Sequence, residues 1–168
     1  MLEFSTLYAT YGRDVFRFAL FLSGDPALAE DIASETFTRA WAARERVDLS
    51  TVKGYLFAIA RNLFLHERRR PGGRTVVIDE TLVSEEPSPE RAAAARRELE
   101  VVLAELQSLS EIDRAALVMR AEDGLPYEEI AGVLGVSLAA VKVKIHRARL
   151  QLERARQQSR IPAAETQS

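Results

Sequence analysis

The sequence predicts an all-α protein, two small helical bundles joined by an acidic linker. Apolar residues recur at three- and four-residue spacing, with no sustained period-2 alternation. Residues such as Gly24, Gly124 and Gly135 and the run Pro71-Gly72-Gly73 stop these patterns at intervals. The stretch Arg74–Ser88 is rich in acid and proline and lacks large apolar residues at helical spacing, so it reads as linker. A length of 168 residues allows one ordinary domain or two very small ones. The linker favours two, over 1–70 and 89–160, with 71–88 between them and a frayed tail at 161–168.

A first helix fits Ser5 to about Ser23, with Ser5 as N-cap and Gly24 past its end. Asp25-Pro26, a cap followed by proline at the first helical position, starts a second that runs to about Ala43. A third spans about Ser50 to Arg70, where Pro71 stops it. Val76-Val77-Ile78 has strand composition, but nothing nearby offers a pairing partner. Ser88-Pro89-Glu90 opens a fourth helix reaching about Ser108. Ser110 to Asp113 resembles a capping box with Asp in place of Glu, and the helix it starts ends at Gly124. A short helix covers Pro126 to Leu134, Gly135 breaks it, and Ser137 caps a last one running to about Arg160.

The net charge of −2 argues at first sight against a polyanionic partner, but its distribution reverses that. Residues 1–74 carry 11 basic and 9 acidic side chains, 75–113 carry 3 and 10, and 114–168 carry 9 and 6. Within the last segment, Ser137–Arg160 holds 7 basic residues against the single Glu153. An acidic middle therefore masks a basic end. The absence of cysteine excludes disulfides, thiol catalysis and Cys-ligated zinc, and suits a reducing compartment. No apolar run approaches the roughly 20 residues that cross a bilayer, and Met1-Leu2-Glu3-Phe4 lacks the basic start of a signal peptide. A cytoplasmic protein without membrane insertion is expected, with no metal and no cofactor.

The strongest local signal lies in 126–149. A DNA-reading helix-turn-helix needs a small residue where its helices cross, and Ala131 supplies it; Gly135 supplies a turn residue tolerant of positive φ. Ile130, Leu134, Val136, Val141 and Ile145 then form the buried seam. On the last helix, Ile145, Ala148 and Leu152 fall within about 40° of Val141. The opposite face gathers Ala139, Ala140, Val143, His146 and Arg147, where the alanines permit close approach and Arg147 can reach a guanine edge. Lys142, Lys144 and Arg149 lie on the flanks, at phosphate positions. A basic helix alone would read as a solvated face; the combination with Ala131, Gly135 and the Ser137 cap points to duplex DNA.

On the third helix, Tyr55, Asn62, His66 and Arg69 share one stripe. An aromatic stacks on unpaired bases and an amide reads the edge of a flipped one. A solvated face with one tyrosine would give the same pattern. On the second helix, Asp31, Glu35, Thr38 and Arg39 share a face opposite Ile32, Thr36, Phe37, Ala40 and Trp41. Asp31 and Glu35 have a spacing that metal ligands also use, but no histidine motif accompanies them, and a solvated or partner-facing acidic patch is the better reading.

Taken in order, these motifs resemble a bacterial RNA polymerase sigma factor of the small extracytoplasmic-function group. Ala29–Trp41, reading AEDIASETFTRAW, resembles the "AEDLVQETFxRAW" signature of sigma region 2. Gly54–Asn62, GYLFAIARN, resembles "xWLyxIARN", and Leu106–Arg149 resembles sigma region 4, ending close to "SYEEIAxxLGVSxGTVKSRxxRAR". The resemblance covers about residues 5–155.

It implies that Asp31, Glu35, Phe37, Thr38 and Arg39 dock on the β′ clamp helices of core polymerase, with the β flap as a second contact. It implies that Asn62, with Tyr55, His66 and Arg69 beside it, meets the melted −10 strand. The helix opened by Ser137 would read the −35 duplex through Ala140, Lys142, Val143, Lys144, His146, Arg147 and Arg149. The linker resembles the tether that threads through polymerase, and an anti-sigma partner is implied. Tyr55 stands where the family has tryptophan, and Ala140 and Val143 replace a threonine and a serine; these departures bear on promoter preference. A stand-alone helix-turn-helix regulator is the alternative and differs in binding duplex tightly without polymerase. A helical hydrolase or metalloenzyme is disfavoured by zero Cys and only His66 and His146.

Overall fold

Capping chemistry sets most helix ends where the sequence places them. The computed structural model describes residues 3–46, 52–69 and 88–160. These form α1 (Phe4–Ser23), α2 (Pro26–Ala42), a 3-10 turn at Arg44–Arg46, α3 (Val52–Arg68), α4 (Pro89–Gln107), α5 (Glu111–Ala121), α6 (Tyr127–Leu134) and α7 (Leu138–Arg160), with no strand among the described residues. Linker residues 71–87, including Val76-Val77-Ile78, and the tail 161–168 lie outside the described residues.

The Asp25 carboxylate accepts from the N–H groups of Ala27 and Leu28 at 3.0 and 3.2 Å, capping α2 ahead of Pro26. Ser88, Ser110 and Ser137 each accept from the N–H three residues on, so α4, α5 and α7 start as expected. Ser5 is a correction. It lies inside α1, whose N-cap is Glu3 with no side-chain cap, and Phe4 meets the Trp41 ring edge-on at 5.7 Å. That contact accompanies a start two residues further out than the polar signal. Helix α5 stops at Ala121, ahead of Gly124, whose φ of 60° lets the N–H groups of Gly124 and Leu125 fold back onto the carbonyls of Arg120 and Met119.

Helices α1 to α3 enclose an aromatic centre in which Phe18 and Phe57 stack at 4.4 Å with 12° between planes. In α5 to α7, Ile130, Leu134, Val141 and Ile145 of the expected helix-turn-helix seam are buried, Val136 is only half-buried, and Met119 and Ala148 join the seam. The buried apolar residues of both halves nonetheless form one continuous cluster.

Polar contacts explain how the halves meet. The last carbonyls of α1 have no partners within their own helix. Gln107 Nε2 donates to the carbonyls of Phe21 and Leu22 at 3.3 Å, and Arg114 Nη1 donates to that of Leu22. A guanidinium at a helix C-terminus also complements the helix dipole. Arg61 grips Glu111 with one edge of its guanidinium, Nε to Oε1 at 2.7 Å and Nη2 to Oε2 at 3.0 Å. Asp123, buried in the α5–α6 turn, sits 3.2 Å from both Arg17 of α1 and Lys53 of α3, with Asp14 beside them. Burial pushes the Asp123 carboxyl above its ordinary value, against the pull of Lys53 and Arg17. Gly54 makes room for α6: a Cβ there would stand 2.8 Å from Glu129 Oε1.

Candidate nucleic-acid interface

The turn between α6 and α7 works as its chemistry requires. Gly135 adopts φ 67° and its N–H returns to the carbonyl of Ala131, ending α6 within one residue. Ser137 Oγ then accepts from the Ala140 N–H at 3.1 Å and opens α7. With Val141, Ile145 and Ala148 turned into the core, Ser137, Lys142, Val143, His146, Arg147 and Arg149 are exposed and Ala140 and Lys144 half-buried. Val143 is 59% exposed, an unpartnered branched methyl pair on a cationic surface. Such a group is costly in water and suited to a thymine methyl.

Arg147 differs from the expected free side chain. Its Nε and Nη2 donate to Oδ2 and Oδ1 of Asp113, both at 2.8 Å. Asp113 is nearly enclosed, with a side chain 4% exposed, whereas that of Arg147 is 56% exposed. The hydrogen bonds from Arg147 hold the Asp113 carboxyl below its ordinary value despite burial, with the charges of Arg147 and Lys144 assisting. A depressed carboxyl adds stability above its unfolded value, about 3.9, and loses it as pH falls through the lower folded value. Asp113→Asn is therefore expected to lower the urea midpoint at pH 7. The gap from wild type should close as pH falls through the folded carboxyl's value, in paired denaturation curves followed by circular dichroism. A gap independent of pH would show that the charge of Asp113 contributes nothing.

On α3, Asn62, His66 and Arg69 are exposed and Tyr55 is half-buried. The stripe is not isolated. His66 and Glu67 line, with Asp31, Glu35, Leu28 and Leu63, a groove of about 200 Å³ between α2 and α3. The α3 stripe and the acidic face of α2 thus form adjoining parts of one surface. On that face Arg39 Nε donates to Glu35 Oε1 at 2.9 Å, and the Thr38 hydroxyl donates to the Ser34 carbonyl.

Phe37 is a correction. It is 1% exposed and meets the Tyr8 ring edge-on at 5.1 Å, so it belongs to the core between α1 and α2 and offers nothing to a docking partner. Its position on the wheel, beside Ile32, Thr36 and Ala40, already carried that signal. Sequence reasoning missed Asp113, Arg114 and Asp123 as interaction centres. The partners of Asp113 and Asp123 lie 34 and 106 residues away, and no local pattern announces them. Among the described residues, no group of three or more His, Cys, Asp or Glu side chains is placed to hold a metal ion, and no helix is long and apolar enough to cross a membrane.

Comparison with known proteins agrees with this geometry. The family model for Sigma-70 region 2 matches residues 7–74, and that for Sigma-70, region 4 matches residues 99–152. The chain is 39% identical over 142 residues to the ECF RNA polymerase sigma factor SigE of Mycolicibacterium smegmatis, covering 82% of this chain. It spans only 55% of that relative's length. It is 32% identical over 148 residues to the ECF RNA polymerase sigma factor SigM of Bacillus subtilis, covering 88% of this chain and 91% of that protein.

Among solved structures, CnrH in complex with the cytosolic domain of CnrY matches with a TM-score of 0.71 and 28% identity over 92% of this chain and 87% of that one. The sigma factor RpoE in complex with the anti-sigma factor NepR from Bartonella quintana is alike in fold, with a TM-score of 0.70 and 23% identity over 90% of this chain and 94% of that one. Two region models in the right order, and a relative above 30% identity matched along nearly its whole length, carry one conclusion: the chain belongs to the ECF RNA polymerase sigma factors.

Proposed function

We propose that this chain binds core RNA polymerase in the cytoplasm, directs it to a set of promoters, and itself catalyses no bond-making step. The observation that carries the reading is the exposed, one-sided basic face of α7, presented by a capped helix-turn-helix. Lys142, Lys144 and Arg149 meet −35 phosphates, while Val143, His146 and Arg147, with Ser137 and Ala140 close to the backbone, face the groove. Tyr55, Asn62, His66 and Arg69 hold the melted −10 strand. The exposed face of α2, Asp31, Glu35, Thr38 and Arg39 without Phe37, docks on the β′ clamp helices, and the second half reaches the β flap.

The division into 1–70, a tether at 71–88 and 89–160 suits promoter geometry. Elements about 25 base pairs apart lie about 85 Å from each other at 3.4 Å per step. Residues 70–87 reach at most about 60–65 Å, so that segment alone does not bridge the distance and the bodies of the two halves must supply the remainder. The packed arrangement of α1 and α3 against α5 and α6 suits a form held off DNA by a partner, and an anti-sigma factor, as in the RpoE–NepR complex, is the expected regulator.

Reconstitution with core polymerase and run-off transcription on genomic promoter templates tests the reading. A promoter-dependent transcript is expected; its absence, or failure to bind core, would sink it. Asn62→Ala is expected to leave promoter binding by holoenzyme within about twofold but to lower permanganate reactivity of the −10 thymines roughly tenfold, about 1.4 kcal/mol on opening. Equal reactivity in the variant and wild type would remove Asn62 from the melting site.

A further inference from the structure

We propose that Asp113 is a specificity-determining positioning residue. Its buried carboxylate grips one edge of Arg147 and thereby presents the other end of the guanidinium to a guanine in the major groove. The inference rests on α7 being the −35 reading helix.

A guanidinium carries five N–H donors in one plane. Asp113 takes two of them, Nε–H through Oδ2 and one Nη2–H through Oδ1, each at 2.8 Å. The second Nη2–H and the Nη1–H pair remain, and among the described residues Nη1 donates to none. At that far end one N–H of Nη1 and one of Nη2 lie side by side, the spacing that matches O6 and N7 of guanine.

The burial pattern orients the pair. The Asp113 side chain lies behind at 4% exposure and that of Arg147 in front at 56%, on the same side of α7 as the exposed His146 and Val143. Asp113 is itself fixed, because it is the third residue of α5 and its N–H is held by Ser110 Oγ. A long side chain that would otherwise sample many rotamers is thus ordered before DNA arrives, and its bidentate geometry is selected in advance. A carboxylate this close to phosphates repels them, so its presence costs affinity for every sequence while sharpening the choice among bases.

The test uses holoenzyme assembled from core polymerase and the full chain. It selects bound molecules from a promoter library whose upstream hexamer is randomised and whose downstream element is fixed. Wild type is expected to enrich guanine at one position by roughly tenfold or more over other bases, a preference that Arg147→Ala abolishes. Asp113→Asn should reduce it to about threefold or less at that position alone. Binding to hexamers lacking that guanine should stay equal or tighten, since one repelling charge is gone.

A purely structural clamp predicts a different result, uniform weakening at all positions, and that outcome overturns the proposal. So does an Arg147-dependent guanine preference that survives intact in Asp113→Asn. Selection of a hexamer with no such guanine also overturns it while leaving the −35 reading in place; no hexamer selection at all would remove the reading itself. Circular dichroism checks that Asp113→Asn folds. If it does not, Asp113→Glu keeps the ion pair but pushes the guanidinium outward by one methylene, and an unchanged guanine preference in that variant overturns the proposal as well.

Discussion

Phe57→Ala is expected to lower the stability of the chain by about 3–5 kcal/mol, the range for deleting a fully enclosed phenylalanine. Phe57 has no exposed surface and its ring lies against Phe18 at 4.4 Å, in the middle of the helices that carry both the stripe of Tyr55, Asn62 and His66 on α3 and the acidic face of α2. Removing it forfeits transfer free energy and the stacking contact, and leaves a void that α1 and α3 cannot close without shifting inward against their other packing. Against a total of about 5–15 kcal/mol for ordinary domains, that is a large fraction. The thermal midpoint should fall by about 6–20 °C, read by circular dichroism, and transcription should fail first at the upper end of the working temperature range. Phe57→Leu, which keeps most of the volume, should cost about 1 kcal/mol. A loss below about 1 kcal/mol for Phe57→Ala would mean that the aromatic pair does not anchor the bundle.

Arg114→Ala is expected to cost about 2–4 kcal/mol, through a different mechanism. Arg114 is buried, donates to the carbonyls of Leu22 and Leu109, and reaches Gln107 Oε1 at 2.9 Å. Its loss leaves the Leu22 carbonyl with only the 3.3 Å bond from Gln107, removes the donor to the Leu109 carbonyl, and loosens the tie of α5 to α1. Because the other bonds between the halves run through Gln107, Arg61–Glu111 and the Asp123 cluster, the variant should loosen the contact between halves more than either half. Small-angle scattering should report a larger radius of gyration, and limited proteolysis should cut near the 70–87 segment faster. Arg114→Met, which keeps the apolar stem but not the donors, should behave like alanine in scattering and recover part of the stability. An unchanged radius in both variants would show that the halves are held by apolar contact alone.

How far the sequence reached is clearest residue by residue. The helix starts at Asp25, Ser88, Ser110 and Ser137, and the reversals at Gly24, Gly124 and Gly135, were all legible, because a cap or an αL turn is settled by a handful of adjacent residues. The seam of Ile130, Leu134, Val141 and Ile145 was legible for the same reason: helical periodicity is local. Phe37 was misplaced although its face was known, since a motif position indicates what a segment does and not which of its side chains the neighbouring helix encloses.

The sequence by itself determined an all-helical chain in two halves and a basic face on its last helix. Only the tertiary structure decided what that face looks like to a ligand. It drew Arg147 onto Asp113, turned Phe37 inward, set Asp123 between Arg17 and Lys53, and used Arg114 to close the end of a helix more than ninety positions earlier. The physical reason is one of range. Periodicity and capping act over three or four residues, whereas a buried charge takes whichever partner the packed helices bring within about 3 Å, and the chain carries no local mark of that partner.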